Sequence, residues 1–409
     1  MRTPRLRTGR PVWLPQRHAT GRYPPLRGDH ETDVAIVGGG LTGALTALRF
    51  AEHGARVIVV EAERIGLGST AASTALLLQE PDEDLGSLSK RYGQGRARRI
   101  WQISRQACRD LIDTIRRLRI SCGLVMRDSL YYTLDDDRAR ALQRELRARH
   151  AAGFGGRWLD AGALREASAI DGAGAIQTTG SAQVDPVRAC TGLFAAAARS
   201  GAVIFERSPI TRIRPVGDGV RLYSARGTID AAQVVIATGY ATRSFKPLAG
   251  RFKMRHTYVL ATHRASEQQR RQLGIGPIML WDTARPYHYV RWTADRRLLL
   301  GGADRPVKPG APRGDRTAAI RELHQYFCAR FPALDDLGID RTWDGLFAMT
   351  PDGLPYIGRH RRYPRHTFAL GYGGNGMTFA ALAARILVEQ WQGVRSPDHD
   401  LFAFNRSRS

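Results

Sequence analysis

Two short apolar runs near the start of the chain flank a segment whose apolar positions follow helical spacing. Residues 34–37 and 57–60 have the length and composition of buried parallel strands. Between them, apolar side chains recur at intervals of three or four residues, and Gly54 ends the pattern. The recurring positions are Leu41, Ala44, Leu45, Leu48 and Ala51. The pattern predicts a strand, a helix and a second strand in succession.

Three glycines occupy the turn between the first predicted strand and the helix. Gly38, Gly40 and Gly43 fit the spacing G-x-G-x-x-G, which combines a tight turn, close approach of a pyrophosphate and close helix–strand packing. The helix N-terminus then offers N–H groups to the phosphates. Glu61 stands 21 residues after Gly40, at the end of the second strand, where it can accept a hydrogen bond from a ribose hydroxyl. The unit predicts a dinucleotide site that contains Gly38, Gly40, Leu41, Thr42, Gly43 and Glu61.

The later parts of the chain contain a second pattern of this kind. Asp185 and Pro186 open a predicted helix that continues to residue 198, and strands are predicted at 202–205 and 233–239. A second glycine-rich turn, 371–376, precedes an apolar helix, whose N-terminus is another place where backbone donors can face an anion. The intervening segments carry longer strand patterns with turn signals, which favours a second, mainly antiparallel sheet.

The first thirty residues contain seven arginines and no acidic residue before Asp29. Mitochondrial transit peptides share that composition, but five prolines in the same stretch would break the amphipathic helix that such a peptide needs. The stretch also lacks the apolar region of a secretory signal. We expect an extended arm laid over the folded domain and anchored by Trp13 and Tyr23.

Composition narrows the class of protein. A chain of 409 residues is long enough for two domains, and no apolar run approaches the roughly 18 residues of a membrane-spanning helix, so a cytoplasmic protein without a membrane span is predicted. The four cysteines are scattered, which indicates neither a disulfide framework nor a metal site.

The formal net charge of +24 would suit a nucleic-acid partner. However, four lysines stand against fifty-eight arginines, and the arginines are spread along the chain rather than gathered in one stripe. Arginine in place of lysine is typical of the codon usage of a GC-rich genome. We therefore expect no specific nucleic-acid binding, although a basic surface can attract polyanions non-specifically.

In their order along the chain, these motifs resemble the D-amino-acid oxidase superfamily of FAD-dependent oxidoreductases, which includes glycine oxidase, sarcosine oxidase and the dimethylglycine dehydrogenases. The motifs are the N-terminal dinucleotide unit, the 68–70 loop, A-Q-V-D-P at 182–186, V-V-I-A-T-G at 234–239, T-P-D-G-L-P-Y-I-G at 350–358 and G-Y-G-G-N-G-M at 371–377. The resemblance implies FAD as the cofactor and an α/β (α+β overall) fold. It implies a Rossmann-like FAD-binding domain with a second, mainly antiparallel β-sheet substrate domain. The predicted divisions are an N-terminal arm at 1–30, a discontinuous FAD-binding domain at 31–85, 176–246 and 337–409, and a substrate domain at 86–175 and 247–336.

The resemblance also assigns roles to residues of this chain. Ser69 and Thr70 would lie near the pyrophosphate and flavin, Ile210 would meet the adenine through its backbone, and residues 374–377 would lie beside the pyrimidine edge of the flavin. The full set of implied cofactor-binding residues adds Ser69, Thr70, Ile210, Gly239, Gly358, Gly374, Asn375, Gly376 and Met377 to the dinucleotide unit.

A predicted hairpin, 287–291 followed by 295–302, holds the candidate substrate residues. Strand alternation places Tyr287, Tyr289 and Arg291 on one face. In the family, an arginine just before such a turn grips the substrate carboxylate, and Arg291 holds that place. A guanidinium fork suits a carboxylate, although an exposed arginine is the other interpretation in so arginine-rich a chain. His256 and Tyr258 are weaker candidates for the same pocket.

Three positions depart from the family pattern. Sarcosine-oxidase-like members attach the flavin through a cysteine where this chain has Gly345, and dimethylglycine-dehydrogenase-like members use a histidine where it has Ala72. Non-covalent FAD is therefore predicted. The lysine that promotes oxygen reaction in sarcosine oxidase aligns with Leu299, which leaves an oxidase and a dehydrogenase both open.

The resulting prediction is an enzyme that oxidises the C–N bond of an amino acid or secondary amine by hydride transfer to FAD, with O2 or another carrier as the electron acceptor and no metal. The superfamily leaves two alternatives. One is a flavoenzyme that acts on modified uridine in transfer RNA, which the positive charge would suit, although the methyltransferase half often fused to it is absent. The other is a flavin-binding subunit without turnover of its own.

Overall fold

The computed structural model describes residues 5–14, 23–307 and 315–406. Within these ranges the strands are β1 (Arg7–Gly9), β2 (Gly28–Val37), β3 (Val57–Val60), β4 (Leu76–Leu77), β5 (Val125–Thr133), β6 (Arg157–Leu159), β7 (Gly174–Gln183), β8 (Val203–Phe205), β9 (Arg212–Val216), β10 (Gly219–Ser224), β11 (Gly227–Gly239), β12 (Lys253–Thr262), β13 (Met279–Asp282), β14 (Tyr289–Trp292), β15 (Leu298–Pro306), β16 (Ile339–Met349), β17 (Tyr356–His360) and β18 (Tyr363–Leu370).

The α-helices of the same ranges are α1 (Leu41–Glu52), α2 (Ser69–Ala72), α3 (Leu85–Tyr92), α4 (Gln94–Arg117), α5 (Asp136–Ala151), α6 (Ala161–Ser168), α7 (Pro186–Arg199), α8 (Lys246–Ala249), α9 (Glu267–Leu273), α10 (Arg316–Cys328), α11 (Gly376–Trp391) and α12 (Pro397–Asp400). Two short 3-10 helices span Arg243–Phe245 and Pro332–Leu337.

The first sheet has eight strands, in the order β17, β18, β11, β2, β3, β8, with the β9–β10 hairpin attached to β11. Its central strands β18, β11, β2, β3 and β8 run parallel. Alternate residues of β2 enter different apolar clusters, one shared with α1, α7 and α11 and the other with β10 and β18. Burial on both faces explains why residues 34–37 and 57–60 are continuously apolar.

The second sheet has ten strands, in the order β1, β16, β12, β15, β14, β13, β5, β7, β4, with β6 paired to β7. Its pairs are antiparallel except for β13 with β5. Helix α10 and the Pro332–Leu337 turn cover one face, where Leu323 and Phe327 pack against Leu260 and Leu300. The two sheets confirm the predicted fold class of a Rossmann-like unit with a mainly antiparallel partner.

Pairing between distant strands changes two of the predicted boundaries. The range 337–409 begins with β16, which pairs along its length with β12 and so belongs to the second sheet. Strand β7 likewise reaches residue 183 within the second sheet, past the predicted boundary at 176. Helices α3 and α4 follow each other directly and are separated at Gly93, where φ is +80°.

The described part of the N-terminal arm, residues 5–14, is extended and lies along the edge of the second sheet. Strand β1 pairs with residues 343–345 of β16, and the Leu346 N–H donates to the Leu6 carbonyl at 2.8 Å. Trp13 donates from Nε1 to the Ser73 carbonyl at 3.0 Å. Farther along, the Tyr23 N–H donates to Glu206 Oε2 at 3.4 Å. The described residues of the predicted arm thus contact both sheets, whereas residues 1–4 and 15–22 lie outside the described residues.

None of the helices in the described ranges combines the length and the apolar character needed to cross a membrane.

Candidate active site

A cleft separates the glycine-rich edge of the first sheet from the second sheet. One wall comes from the loop and short strand after β3, from the end of β11 and from the turn before α11. The opposite wall comes from β16 and from Thr257, Trp281, Tyr287, Tyr289 and Asp304 of the second sheet and its loops. The strands of the parallel sheet end at this cleft, which is where ligands bind in folds of this type.

The glycines of the dinucleotide unit permit contacts that a side chain would block. Gly38 has a φ of +122°, and a Cβ there would lie 2.5 Å from the Ala237 carbonyl oxygen. A Cβ on Gly43 would lie 1.9 Å from the Gly38 carbonyl oxygen, so the glycine allows α1 to pack on the turn. At Gly40 a Cβ would meet only Thr70 Oγ1, at 3.2 Å. The first and third glycines therefore shape the turn, and the second lets its backbone lie close to the Thr70 hydroxyl.

Glu61 closes the turn on the side of β3. Its Oε2 accepts the Gly39 N–H at 2.6 Å, and its Oε1 accepts the Glu63 N–H at 2.8 Å. Burial raises the pKa of Glu61, while these two N–H groups act in the opposite direction. The Ser208 N–H donates to the Glu61 carbonyl at 2.8 Å, which places Ile210, two residues later, close to the same edge.

Helix α2 connects the glycine turn to the second sheet. The Leu41 N–H donates to Thr70 Oγ1 at 3.1 Å, and the Ser69 hydroxyl donates to the Leu346 carbonyl at 2.9 Å. Ser69 lines the cleft, whereas Leu41 and Thr42 are buried in α1. This small-residue segment thus holds the two walls at a fixed separation.

The N-terminus of α11 faces the cleft from the other end. The Gly374 N–H donates to Asp82 Oδ2 at 2.6 Å, and Asn375 Nδ2 donates to the Glu80 carbonyl at 2.7 Å. Asn375 Oδ1 is buried and has no hydrogen-bond partner among the described residues. Gly239, Gly374, Asn375 and Gly376 all line the cleft. Met377 does not, because it packs in the core shared by α1, α4 and α11.

Gly358 lies away from the predicted cofactor site. A Cβ on Gly358 would meet the Gln390 side chain at 2.8 Å, and Gln390 belongs to the last turn of α11. Fourteen residues of helix separate Gln390 from Gly376 at the cleft, a distance of roughly 20 Å. The position therefore makes Gly358 a packing residue.

Tyr287 and Tyr289, two of the predicted substrate residues, lie together in the cleft. Their ring centroids are 6.2 Å apart, and the Tyr289 hydroxyl lies 3.0 Å from Thr257 Oγ1. The Tyr287 hydroxyl lies against Gly374, where a Cβ would come within 1.9 Å of the oxygen. Burial raises the pKa of both phenols, so both stay neutral and can donate hydrogen bonds.

Arg291 is not in the cleft. Its guanidinium donates to the carbonyls of Thr74 and Val184 and lies 5.1 Å from the ring of Trp13. Arg291 shares the strand face of Tyr289, but its side chain lies behind the cleft wall, where 2% of the residue is exposed. Because its donors hold backbone carbonyls, this position does not support carboxylate binding and gives Arg291 a structural role.

The pleat of β12 directs its neighbouring candidates away from the cleft. Tyr258 packs in the core of the second sheet, and His256 lies with Nδ1 3.4 Å from Asp344 Oδ2. Thr257, between them, is the residue that lines the cleft. The sequence predicted that His256 and Tyr258 of this strand line the pocket. In the structure Thr257 lines it, from the opposite face of the strand.

Asp304 is a cleft residue that the sequence reasoning missed. It lies near the end of β15, next to Thr257, and its Oδ1 is buried with no hydrogen-bond partner among the described residues. Burial raises the pKa of Asp304 to about 6. A register shift between β12 and β15 near His256 sets its direction, and nothing in the sequence indicates that shift.

Comparison with known proteins identifies the class that this arrangement defines. Residues 33–390 match the family described as FAD dependent oxidoreductase, and the chain belongs to that family. The predicted family resemblance is confirmed, and with it the expectation of an oxidoreductase that uses FAD.

The chain is also similar to individual members of known activity. It is 29% identical to gamma-glutamylputrescine oxidoreductase of Escherichia coli over 384 residues, which cover 92% of this chain and 88% of that protein. It is 25% identical to glycine oxidase of Bacillus licheniformis, over 92% and 97% of the two chains. The crystal structure of glycine oxidase from Geobacillus kaustophilus superimposes with a TM-score of 0.77 at 22% identity, over 90% of this chain and 96% of that one.

The residues of the cleft fit FAD. The backbone at Gly40, the acceptor Asn375 Oδ1, which has no partner among the described residues, and the α11 N-terminus would provide contacts for the phosphates and a flavin ring. The two positions at which relatives attach the flavin lie together, since a Cβ on Gly345 would be 2.7 Å from Ala72 Cβ. Neither residue has a nucleophilic side chain. Leu299 is buried beside Ala72 and Trp343, behind the wall.

A separate cluster of potential metal ligands lies on the far side of the second sheet. His324 Nε2 is 3.4 Å from Cys328 Sγ and 3.6 Å from Asp335 Oδ1. An imidazole–thiol contact and an ion pair account for these distances, and Asp335 is mostly exposed. The prediction of a metal-free enzyme therefore stays a prediction.

Proposed function

We propose that the protein binds FAD non-covalently and oxidises the C–N bond of a small amine, giving an imine that hydrolyses in water. Bound FAD would accept a hydride from the carbon next to the nitrogen. The observation that carries the proposal is the single cleft in which the dinucleotide unit, the α11 N-terminus and the tyrosines of the second sheet meet.

The protein's part in this reaction is positioning and electrostatics. Gly38, Gly40 and Gly43 would hold the pyrophosphate, and Glu61 the adenosine ribose. The N–H groups and positive dipole end of α11 would favour the negative charge that two electrons bring to the cofactor. Tyr287 and Tyr289 would confine the amine from the second sheet. A neutral amine needs no separate base.

The experiment is anaerobic reduction of the FAD-loaded protein by a panel of amines and amino acids. We expect at least one amine to bleach the visible absorbance of the bound flavin. A flavin that dithionite reduces but no amine of the panel does would refute the proposal. Admitting oxygen afterwards distinguishes an oxidase, which recovers its colour at once, from a dehydrogenase.

A further inference from the structure

The charge of the cleft is opposite to that of the chain. The chain carries a formal net charge of +24. Of the described residues that line the cleft, three are acidic, Glu80, Asp82 and Asp304, and none is lysine, arginine or histidine. A cleft of this sign favours cations and repels a carboxylate.

The three carboxylates do not have equal freedom to receive a ligand. Glu80 lies 3.8 Å from the buried guanidinium of Arg149. Asp82 accepts the Gly374 N–H, and burial raises the pKa of Asp82 to about 7, so it is only partly ionised at neutral pH. Asp304 keeps Oδ1 buried and without a hydrogen-bond partner among the described residues. Burial raises the pKa of Asp304 to about 6, although the Thr257 hydroxyl and the charges of Arg255 and His288 act in the opposite direction. At pH 7 the carboxylate is therefore mainly ionised.

Aromatic rings stand beside this carboxylate. Tyr289 lines the cleft next to Tyr287, and Trp281 lies 6.3 Å from the Tyr287 ring at an angle of 73°. Tyr131 stacks on the other side of Trp281 at 3.8 Å. An aromatic wall and a carboxylate oxygen that has no partner among the described residues are together the surroundings that proteins use for ammonium groups.

We propose that the substrate is a diamine or related polycation without a carboxylate beside the reacting carbon, and that Asp304, with the Tyr287 and Tyr289 rings, binds its second ammonium group. The inference rests on the proposed function for the reacting end of the substrate. It adds the chemical class of the rest of the substrate and assigns Asp304 as a specificity-determining residue.

Arg285, a cation close to the aromatic wall, offers an alternative. Its guanidinium lies 5.9 Å from the Tyr287 ring and 3.4 Å from the Tyr131 hydroxyl, outside the lining of the cleft. The positive charge of Arg285 acts to lower the pKa of the neighbouring acids Glu83 and Asp84, and their negative charges in turn offset it. A substrate carboxylate bound by Arg285 would give the opposite ligand preference, which makes the two interpretations separable.

The first measurement is binding of two inert ions to the FAD-loaded protein, followed as a change in the flavin absorption spectrum. Tetramethylammonium should bind. Acetate should bind at least about ten-fold more weakly, because the carboxylate of Asp304 attracts a cation and repels an anion. Tighter binding of acetate would overturn the inference. Because neither ion is oxidised, this result does not depend on whether the proposed reaction occurs.

The second measurement compares anaerobic flavin reduction by 1,4-diaminobutane, n-butylamine and sarcosine in the wild type and two variants. Asp304→Asn should raise the half-saturating concentration of the diamine by about ten-fold more than that of n-butylamine, so that the preference for the diamine falls by that factor. Glu322→Gln is the matched control, because Glu322 is exposed and pairs with Arg305, the residue after Asp304, at 2.7 Å. It makes the same change of charge outside the cleft lining and should leave that preference as in the wild type.

The outcomes separate the two proposals. If none of the amines reduces the flavin, the proposed reaction fails, whereas the ion-binding result still tests the inference. If sarcosine reduces the flavin more efficiently than the diamine, or if Asp304→Asn affects both amines equally, the assignment of Asp304 is wrong although the reaction class stands.

Discussion

Glu61 provides a direct test of the cofactor site, because both of its carboxylate oxygens are already used within the turn. Oε2 accepts the Gly39 N–H at 2.6 Å and Oε1 accepts the Glu63 N–H at 2.8 Å. Glu61→Gln keeps the shape of the side chain but leaves it one acceptor oxygen. The amide NH2 must then face one of these two backbone donors, and the charge that would hold a ribose hydroxyl is lost.

Two contributions follow from that geometry. The Glu63 N–H is exposed, so the amide can face it and the variant loses one ordinary hydrogen bond. We expect the apoprotein to lose about 0.5–1.5 kcal/mol of unfolding free energy, whereas a hydrogen bond from a ribose hydroxyl to a charged group contributes about 1.5–3 kcal/mol. The second contribution should weaken FAD binding by about ten- to hundred-fold.

The assay is titration of the apoprotein with FAD, followed by quenching of flavin fluorescence, beside a denaturant unfolding curve. Glu63→Gln is the control, because the Glu63 side chain is exposed and the same chemical change there should leave FAD affinity unaltered. A Glu61→Gln variant that folds and binds FAD as tightly as the wild type would refute the placement of Glu61 at the ribose.

Three further predictions use other parts of the structure. Acid precipitation of the FAD-loaded protein should release the flavin into the supernatant, since Gly345 and Ala72 offer no attachment atom; colour in the pellet would contradict this. Asp352→Asn should lower the unfolding free energy by about 3–5 kcal/mol, because it removes the carboxylate charge to which buried Arg406 donates twice at 2.7 Å. Although burial alone would raise it, Arg406 lowers the pKa of Asp352 to about 2, so this stabilisation is present above about pH 4 and is lost as the pH falls through 2; a denaturation series between these pH values measures it. Arg291→Lys should lower the melting temperature, because the Thr74 and Val184 carbonyls lose guanidinium donors, yet leave the ratio of activities on an amino acid and its decarboxylated amine unchanged; a changed ratio would return Arg291 to the substrate site.

Local patterns predicted those parts of the fold and site that depend on neighbours in sequence. The glycine turn, α1 and Glu61 lie within one strand–helix–strand unit, so periodicity and turn chemistry define them. The same holds for α7, which begins at Pro186 after the capping residue Asp185. Asp185 accepts the N–H groups of Val187 and Arg188, as an N-cap should.

Long-range packing determines the parts that the sequence could not predict. Alternation correctly put Tyr289 and Arg291 on one face, but only the position of the Thr74 loop shows that Arg291 lies behind the wall. Strand β16 follows the second-sheet segments in sequence and precedes the glycine-rich turn, so its partner could not be read locally. Asp304 depends on a register shift between two strands, for which no residue pattern is diagnostic.

The N-terminal arm has a practical consequence for handling the protein. Strand β1 covers the outer side of β16, which would otherwise be the last strand of its sheet. A shortened chain that begins at Tyr23 would expose a row of unpaired N–H and C=O groups there, and such rows template pairing between molecules. It would also lose the hydrogen bond that the Trp13 indole donates to the Ser73 carbonyl, in the loop that lines the cleft. Purified protein that proteases have cut in this region should therefore aggregate, and it should release its yellow flavin at the same time.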